Sequence, residues 1–182
     1  MNRKAFYDAL RGSVLFPHGL AQDHVKGMEA LLDAAGGLAA DETAYILATA
    51  YHETAATMQP IAEYGKGKGR KYGVPGRNAG QVPYGRGFVQ TTWDANYERT
   101  DRELGLGGRL IANYNLLLTD TAMAAQVAAR GMVEGWYTGK KLSDYFAGDK
   151  CDFVNARRII NGTDKAEKIA GHARIFLKAI QS

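Results

Sequence analysis

One cysteine stands among 182 residues, and that scarcity removes whole classes of chemistry. Cys151 has no partner for an internal disulfide, and no cysteine-based metal site can form around it. With no histidine near it in the chain, it reads as a small buried hydrophobe rather than a nucleophile. Long apolar runs are missing too, since none approaches the roughly 18 residues that a membrane span requires. The first stretch, "MNRKAFYDALRGSVLFPHGL", has basic residues but only the short apolar patch Val14 to Phe16 before Pro17. That patch is too short for a signal-peptide core, so the expected location is a cytoplasm. Negative charge is absent from residues 64–93, which carry Lys66, Lys68, Arg70, Lys71, Arg77 and Arg86 with no aspartate or glutamate. An anionic partner suits such a segment, and so does a solvated surface loop without specificity.

What is present describes an ordinary globular chain. A hydrophobic fraction of 46% with 23% charged residues is enough to build one core, and the length suits a single domain over residues 1–182. No repeat or low-complexity linker marks off a separate binding module. Helical patterns are expected over residues 3–11 and 21–35, the second stopped by Gly36-Gly37. Asp41 suits the N-cap of a helix over 42–57 that Pro60 would end. Its stretch "AYILATAYHET" is apolar nearly all round, which predicts a central, buried helix. Glycine and proline then punctuate residues 63–87, a long irregular loop with room for a small two-stranded turn. Helical pattern resumes over 91–104, breaks at "GLGG", and returns over 119–136. "CDFVNARRIING" reads as a helix closed by Asn161-Gly162, and Asp164 with Glu167 as the capping box of a last helix to about residue 180. That last helix is basic and amphipathic, which fits packing on the core and leaves membrane contact at most transient. The fold class is mainly α.

Two glutamates attract chemistry. Glu53 falls at the C-terminal end of the buried helix, where the dipole and desolvation both disfavour a carboxylate and favour a general acid. Glu63, on a glycine-flanked turn beside the cationic loop, is expected to be ionised and to act as a base. Carboxyls pulled apart in this way suit glycoside hydrolysis, although two glutamates ten residues apart occur in most proteins. Other chemistries fall away. "HET" is not followed by the second histidine of a zinc-protease helix, and His18, His24, His52 and His172 have no metal-ligand spacing. "GKGKGRKYG" lacks the Gly-Lys-Ser/Thr of a phosphate loop, and Ser13, Ser143 and Ser182 lie outside any nucleophile elbow. No metal and no cofactor are expected. The stretch "YGRGFVQTTWDANYERT" is dense in groups suited to sugar: Gln90, Thr91, Thr92, Asp94 and Asn96 for hydroxyls, and Tyr84, Trp93 and Tyr97 for pyranose faces.

The combination of "AYHET", a following glutamate, "YGRGFVQTTWDANY", "RRIING" and "ARIFLKAI" resembles the glycoside hydrolase family 19 chitinases, and most closely their phage endolysin branch. The resemblance spans residues 40–180. It implies a lysozyme-like, two-lobed helical domain with a central groove, and an inverting hydrolase of β-1,4-linked N-acetylated sugars. By resemblance Glu53 is the acid, Glu63 the base, and Thr92 a holder of the attacking water. Gln90, Asn96, Asn161 and Arg174 would line the cleft, with His52 supporting Glu53 or a sugar. The chain departs from the plant members in placing Ala55-Ala56 where glycines usually follow HET. The cationic loop favours peptidoglycan over chitin, which implies a muramidase-type endolysin held in the host cytoplasm until a holin releases it to the periplasmic wall. A chitinase and a catalytically silent wall-binding module are the alternatives. No nucleic-acid partner is expected, and the protein is expected to be a monomer.

Overall fold

The structure, a computed structural model, describes residues 1–182. Eight α-helices, two short 3₁₀ segments and one small antiparallel sheet make up the regular elements. Helix α1 (Arg3–Leu10) is capped by Asn2, whose side chain accepts the Ala5 N–H. Helix α2 (Gln22–Ala34) crosses close to the chain after α3, because Gly27 has no Cβ: one there would sit 1.5 Å from the Met58 carbonyl oxygen. Helix α3 (Ala40–Glu53) buries Thr43 through Ala50 without a break, as its all-round apolar pattern required. Its N-cap is Ala39 and not Asp41; Glu42 reaches back to the Ala39 N–H, and Asp41 sits in the first turn, where the dipole favours an acid.

Helix α3 also stops earlier than expected, and Pro60 is not what stops it. The Ala56 N–H donates to the Tyr51 carbonyl and the Ala55 N–H to the His52 carbonyl, a Schellman closure with Ala55 at φ 51°. Strands β1 (Ile61–Ala62) and β2 (Arg86–Gly87) pair antiparallel and form the neck of the glycine-rich loop. Below the neck the chain turns back at once, since Arg86 and Thr91 bridge one another around Gly87 at φ 88° and Gln90 at φ 55°. This hairpin, together with Trp93 at φ 74°, delays α4 (Asp94–Glu103) beyond the expected start at residue 91.

Two short helices, α5 (Arg109–Ala112) and α6 (Leu116–Thr119), follow "GLGG" and escape periodicity because each is a single turn. Helix α7 (Thr121–Glu134) is capped by Asp120. The "CDFVNARRIING" stretch is a 3₁₀ segment, Asn155–Ile159, instead of an α-helix. Helix α8 (Ala166–Ile180) begins after Lys165 at φ 56°, and the expected Asp164–Glu167 box does not form. Cys151 is exposed, contrary to its reading as a buried hydrophobe.

Two apolar cores explain the two lobes. A cluster of 33 buried residues joins α1, α2, α3 and α8 with one face of α7. A second cluster of seven, including Tyr97, Leu110, Tyr114 and Leu117, fills the space between α4, α5, α6 and the other face of α7. Helix α7 is therefore the wall between them: Ala124, Ala125, Ala128 and Ala129 pack on the larger core, and Met123 and Val127 on the smaller. Helix α8 lays Ile169, Ala170, Ala173, Phe176 and Ala179 on the larger core against α3. No helix is long and apolar enough to cross a membrane.

Candidate active site

Glu53 is the last residue of α3, and the early helix stop leaves its side chain 17% exposed at the end of a buried rod. Arg157, from the 3₁₀ segment, donates Nη1 to Glu53 Oε1 at 2.7 Å and Nε to the Asp164 carbonyl at 2.9 Å. The arginine side chain is only 3% exposed. Burial and the helix end were expected to act on Glu53 alone; instead a buried guanidinium lies against it and fixes its rotamer.

A groove of about 340 Å³ opens at this carboxylate. Glu53, Ile160, Asn161 and Tyr137 form one side; Gln90, Thr92, Trp93 and Asn96 form the other. The polar side is held by its own backbone: Thr92 Oγ1 donates to the Gln90 carbonyl at 2.8 Å, and Asn96 Nδ2 to the Thr92 carbonyl at 2.7 Å. Gln90 Nε2 donates to the Ile61 and Gly87 carbonyls, tying the hairpin to the sheet. The positive φ angles of Gln90 and Trp93 are costly for side-chain-bearing residues, and both bracket the part of the hairpin that faces the groove. Trp93 remains 46% exposed at the rim.

Glu63, one residue beyond β1 at the neck of the loop, is not among the residues that line this groove. Its Oε1 accepts the Tyr72 hydroxyl at 3.0 Å and its Oε2 the Gly85 N–H at 3.3 Å, so its donors are these two groups and not the lysines of the loop. Gly85 is what separates Glu63 from the hairpin. A Cβ there would lie 2.9 Å from Gln90 Oε1 and 3.3 Å from Thr92 Oγ1. The acid candidate and the polar hairpin line the groove, while the base candidate is outside that lining and is joined to the hairpin strand through the Gly85 N–H. The arrangement can hold a hydroxylated polymer and offer carboxyls from two different elements.

Four of the expected binding residues lie elsewhere. Tyr97 is fully buried, stacked on Tyr114 at 3.8 Å with its hydroxyl donating to the Tyr84 carbonyl, so it is core and cannot meet a sugar. The Tyr84 ring carries the Arg86 guanidinium 3.5 Å above its centroid and is outside the groove lining. His52 faces a separate depression of about 290 Å³ with Tyr51, Ala55, Ala56, Lys168 and His172. Arg174 lines the largest cavity, about 630 Å³ between α1 and α8, where no lining side chain is a carboxylate or an aromatic ring. Arg157, Tyr137 and Tyr72 were not singled out from the sequence. The only signal for Arg157 was its place in "RRIING", and nothing local marks an arginine for burial.

No protein-family model matches the sequence, and no curated protein is similar to it in sequence. Solved structures do match. Chitinase C from Streptomyces griseus HUT6037 superposes with a TM-score of 0.68 at 23% identity, over 100% of this chain and 76% of that one. The chain has the fold of the family 19 chitinases. A bacterial family 19 chitinase aligns over 98% of this chain and 94% of its own, with a TM-score of 0.59 at 21% identity. The family GH19, class IV chitinase from Zea mays aligns over 99% and 92%, with a TM-score of 0.64 at 18% identity. The mainly helical, two-lobed architecture expected from the motifs is therefore the architecture observed.

Proposed function

We propose that this protein hydrolyses β-1,4 glycosidic bonds of an N-acetylated glycan, and that its polymer is bacterial peptidoglycan. The observation that carries the reading is Glu53, locked by Arg157 at one side of an open polar groove that Thr92, Trp93, Asn96 and Asn161 line. Glu53 gives its proton to the glycosidic oxygen as the bond to the anomeric carbon breaks. Glu63 takes a proton from a water, held also by Thr92, that attacks that carbon from the opposite face. One water is consumed and the configuration inverts; the carboxyl spacing this needs, about 6.5–9.5 Å, leaves room for the water.

Four exposed cations on the adjoining loop, Lys66, Lys68, Arg70 and Lys71, support a polymer whose lactyl-peptide arms carry negative charge. With peptidoglycan as substrate, the protein is a phage-type endolysin, kept in the host cytoplasm until a holin lets it reach the wall. The chitinase alternative draws on the named activities of the structural neighbours.

The test is digestion of Gram-negative peptidoglycan and of chitin oligomers by wild type and Glu53→Gln, with product ends identified by mass spectrometry. The glutamine oxygen can still accept from Arg157, so the variant is expected to fold normally and lose nearly all turnover. New reducing ends from peptidoglycan that are absent with the variant support the proposal, and cleavage of chitin alone moves the reading to a chitinase. Silence on both polymers leaves a wall-binding module.

A further inference from the structure

The glycine-rich loop places one side chain, Tyr72, against both the base candidate and the groove rim. Its hydroxyl donates to Glu63 Oε1 at 3.0 Å, and its ring meets Trp93 edge-on, 5.2 Å between centroids at 78°. We propose that Tyr72 is the positioning residue of the base: it fixes the plane of the Glu63 carboxylate and braces Trp93 as the wall beside it.

A glutamate one residue beyond a two-residue strand has nothing of its own to stop rotation of the carboxylate. Here each oxygen has one donor, Tyr72 on Oε1 and the Gly85 N–H on Oε2, and the remaining lone pairs keep a set direction. A water is activated only if one of those lone pairs points at it, so orientation passes directly into rate.

The loop is built to hold Tyr72 still. Successive turns run through it, with Lys66, Lys68, Arg70 and Gly73 N–H groups donating to the Glu63, Gly65, Gly67 and Arg70 carbonyls. Gly73 packs so tightly on Gly67 that a Cβ would fall 1.7 Å from the Gly67 oxygen, and a Cβ on Gly67 would meet the Tyr72 ring at 3.3 Å. Further along, the Asn78 amide donates to Glu98 and to the Tyr114 hydroxyl, and Gln81 to the Ile111 carbonyl, pinning the loop to the smaller lobe. Burial of Tyr72, with Glu63 beside it, raises the phenol above its ordinary value, so the hydroxyl stays a donor through neutral pH.

This inference rests on the hydrolase reading, and the experiment separates the two. Wild type, Tyr72→Phe, Glu63→Gln and the double variant are compared for kcat and KM on the polymer that the wild type cleaves. Phenylalanine keeps the contact with Trp93 and removes only the hydroxyl. The expected result is a fall in kcat of about 10- to 100-fold, the usual weight of a hydrogen bond to a charged group, with KM within twofold. In the Glu63→Gln background the same change should cost nothing more, because the carboxylate it positions is gone. Tyr72→Phe with kcat within twofold of wild type, a loss carried by KM alone, or losses that add in the double variant each overturn the inference while Glu63→Gln keeps only a small residual turnover. Full turnover by Glu63→Gln, or a wild type inactive on every polymer, overturns the hydrolase assignment and the inference together.

Discussion

Burial sets the charge state of two histidines just behind the candidate acid, and their titration is open to measurement. His52 and His172 share a depression with Tyr51 and Lys168, and Tyr51 meets the His172 ring edge-on at 4.9 Å. Desolvation lowers the pKa of each. Around His52, Glu53 and Asp164 pull upward while Arg157 and Lys168 push downward; around His172, Lys168 and His52 both push downward. His172 Nδ1 has no hydrogen-bond partner to offset this. The unfolded chain therefore binds more protons than the folded one below about pH 6.5, the ordinary histidine value. Stability from these groups is present above that pH and lost as pH falls toward the depressed folded values. Thermal midpoints between pH 5 and 7 should decline on the acid side in wild type and decline less in His172→Gln. Equal slopes in the two proteins would remove the histidine from the account.

At the scale of the element, the end of α3 decides where the acid candidate sits, and the residues there are not the best ones for the backbone they adopt. Ala55 and Ala56 both have positive φ, 51° and 68°, a region that costs an L-residue roughly 1–2 kcal/mol and glycine almost nothing. Ala55→Gly is expected to stabilise the fold by about 1 kcal/mol, a rise in Tm of about 2–4 °C at this chain length, with kcat unchanged. A fall in Tm would mean that the freedom glycine adds to the unfolded chain outweighs the relief. The same strain explains how far the sequence could be read. The helix itself is plain from its apolar run, and Glu53 at its end from "HET", but a stop made by two alanines carries no local signal, and Pro60 is the only breaker that the pattern offers. In "YGRGFVQTTWDANY" the groove-lining residues Gln90, Thr92, Trp93 and Asn96 are recognisable as a group. What could not be read was which aromatic turned inward: Tyr97 is buried because α4 begins only after the Trp93 kink, and that start sets the face it presents. Arg157 and Tyr72 reach their glutamates from 104 and nine residues away, and both contacts are made by tertiary packing.

Across the whole molecule, charge is sorted by what the fold does with each cation of residues 64–93. Arg86 is 4% exposed and committed to Asn115, Tyr97 and the Val82 and Tyr84 carbonyls. Arg77 forms a two-pronged pair with Glu98, at 2.7 and 2.6 Å. Arg86 is thus unavailable to a polymer, and Arg77, though its side chain is 64% exposed, has its charge offset by Glu98. Lys66, Lys68, Arg70 and Lys71 are exposed and form no ion pair with the protein's own acids, so the field of the loop comes from these four. Exposed charges act over about 30 Å at 0.01 M salt and about 3 Å at 1 M. Co-sedimentation of the Glu53→Gln protein with purified sacculi reads this field without turnover. Neutralising the four cations to glutamine should weaken binding about tenfold at 10 mM salt. By about 0.5 M salt, where screening is short-ranged, the two proteins should bind alike. Chitin beads provide the uncharged control, on which the substitution should change little at any salt. Parallel salt curves on sacculi would mean that the loop does not steer, and the preference for an anionic polymer would then have to come from contacts inside the groove.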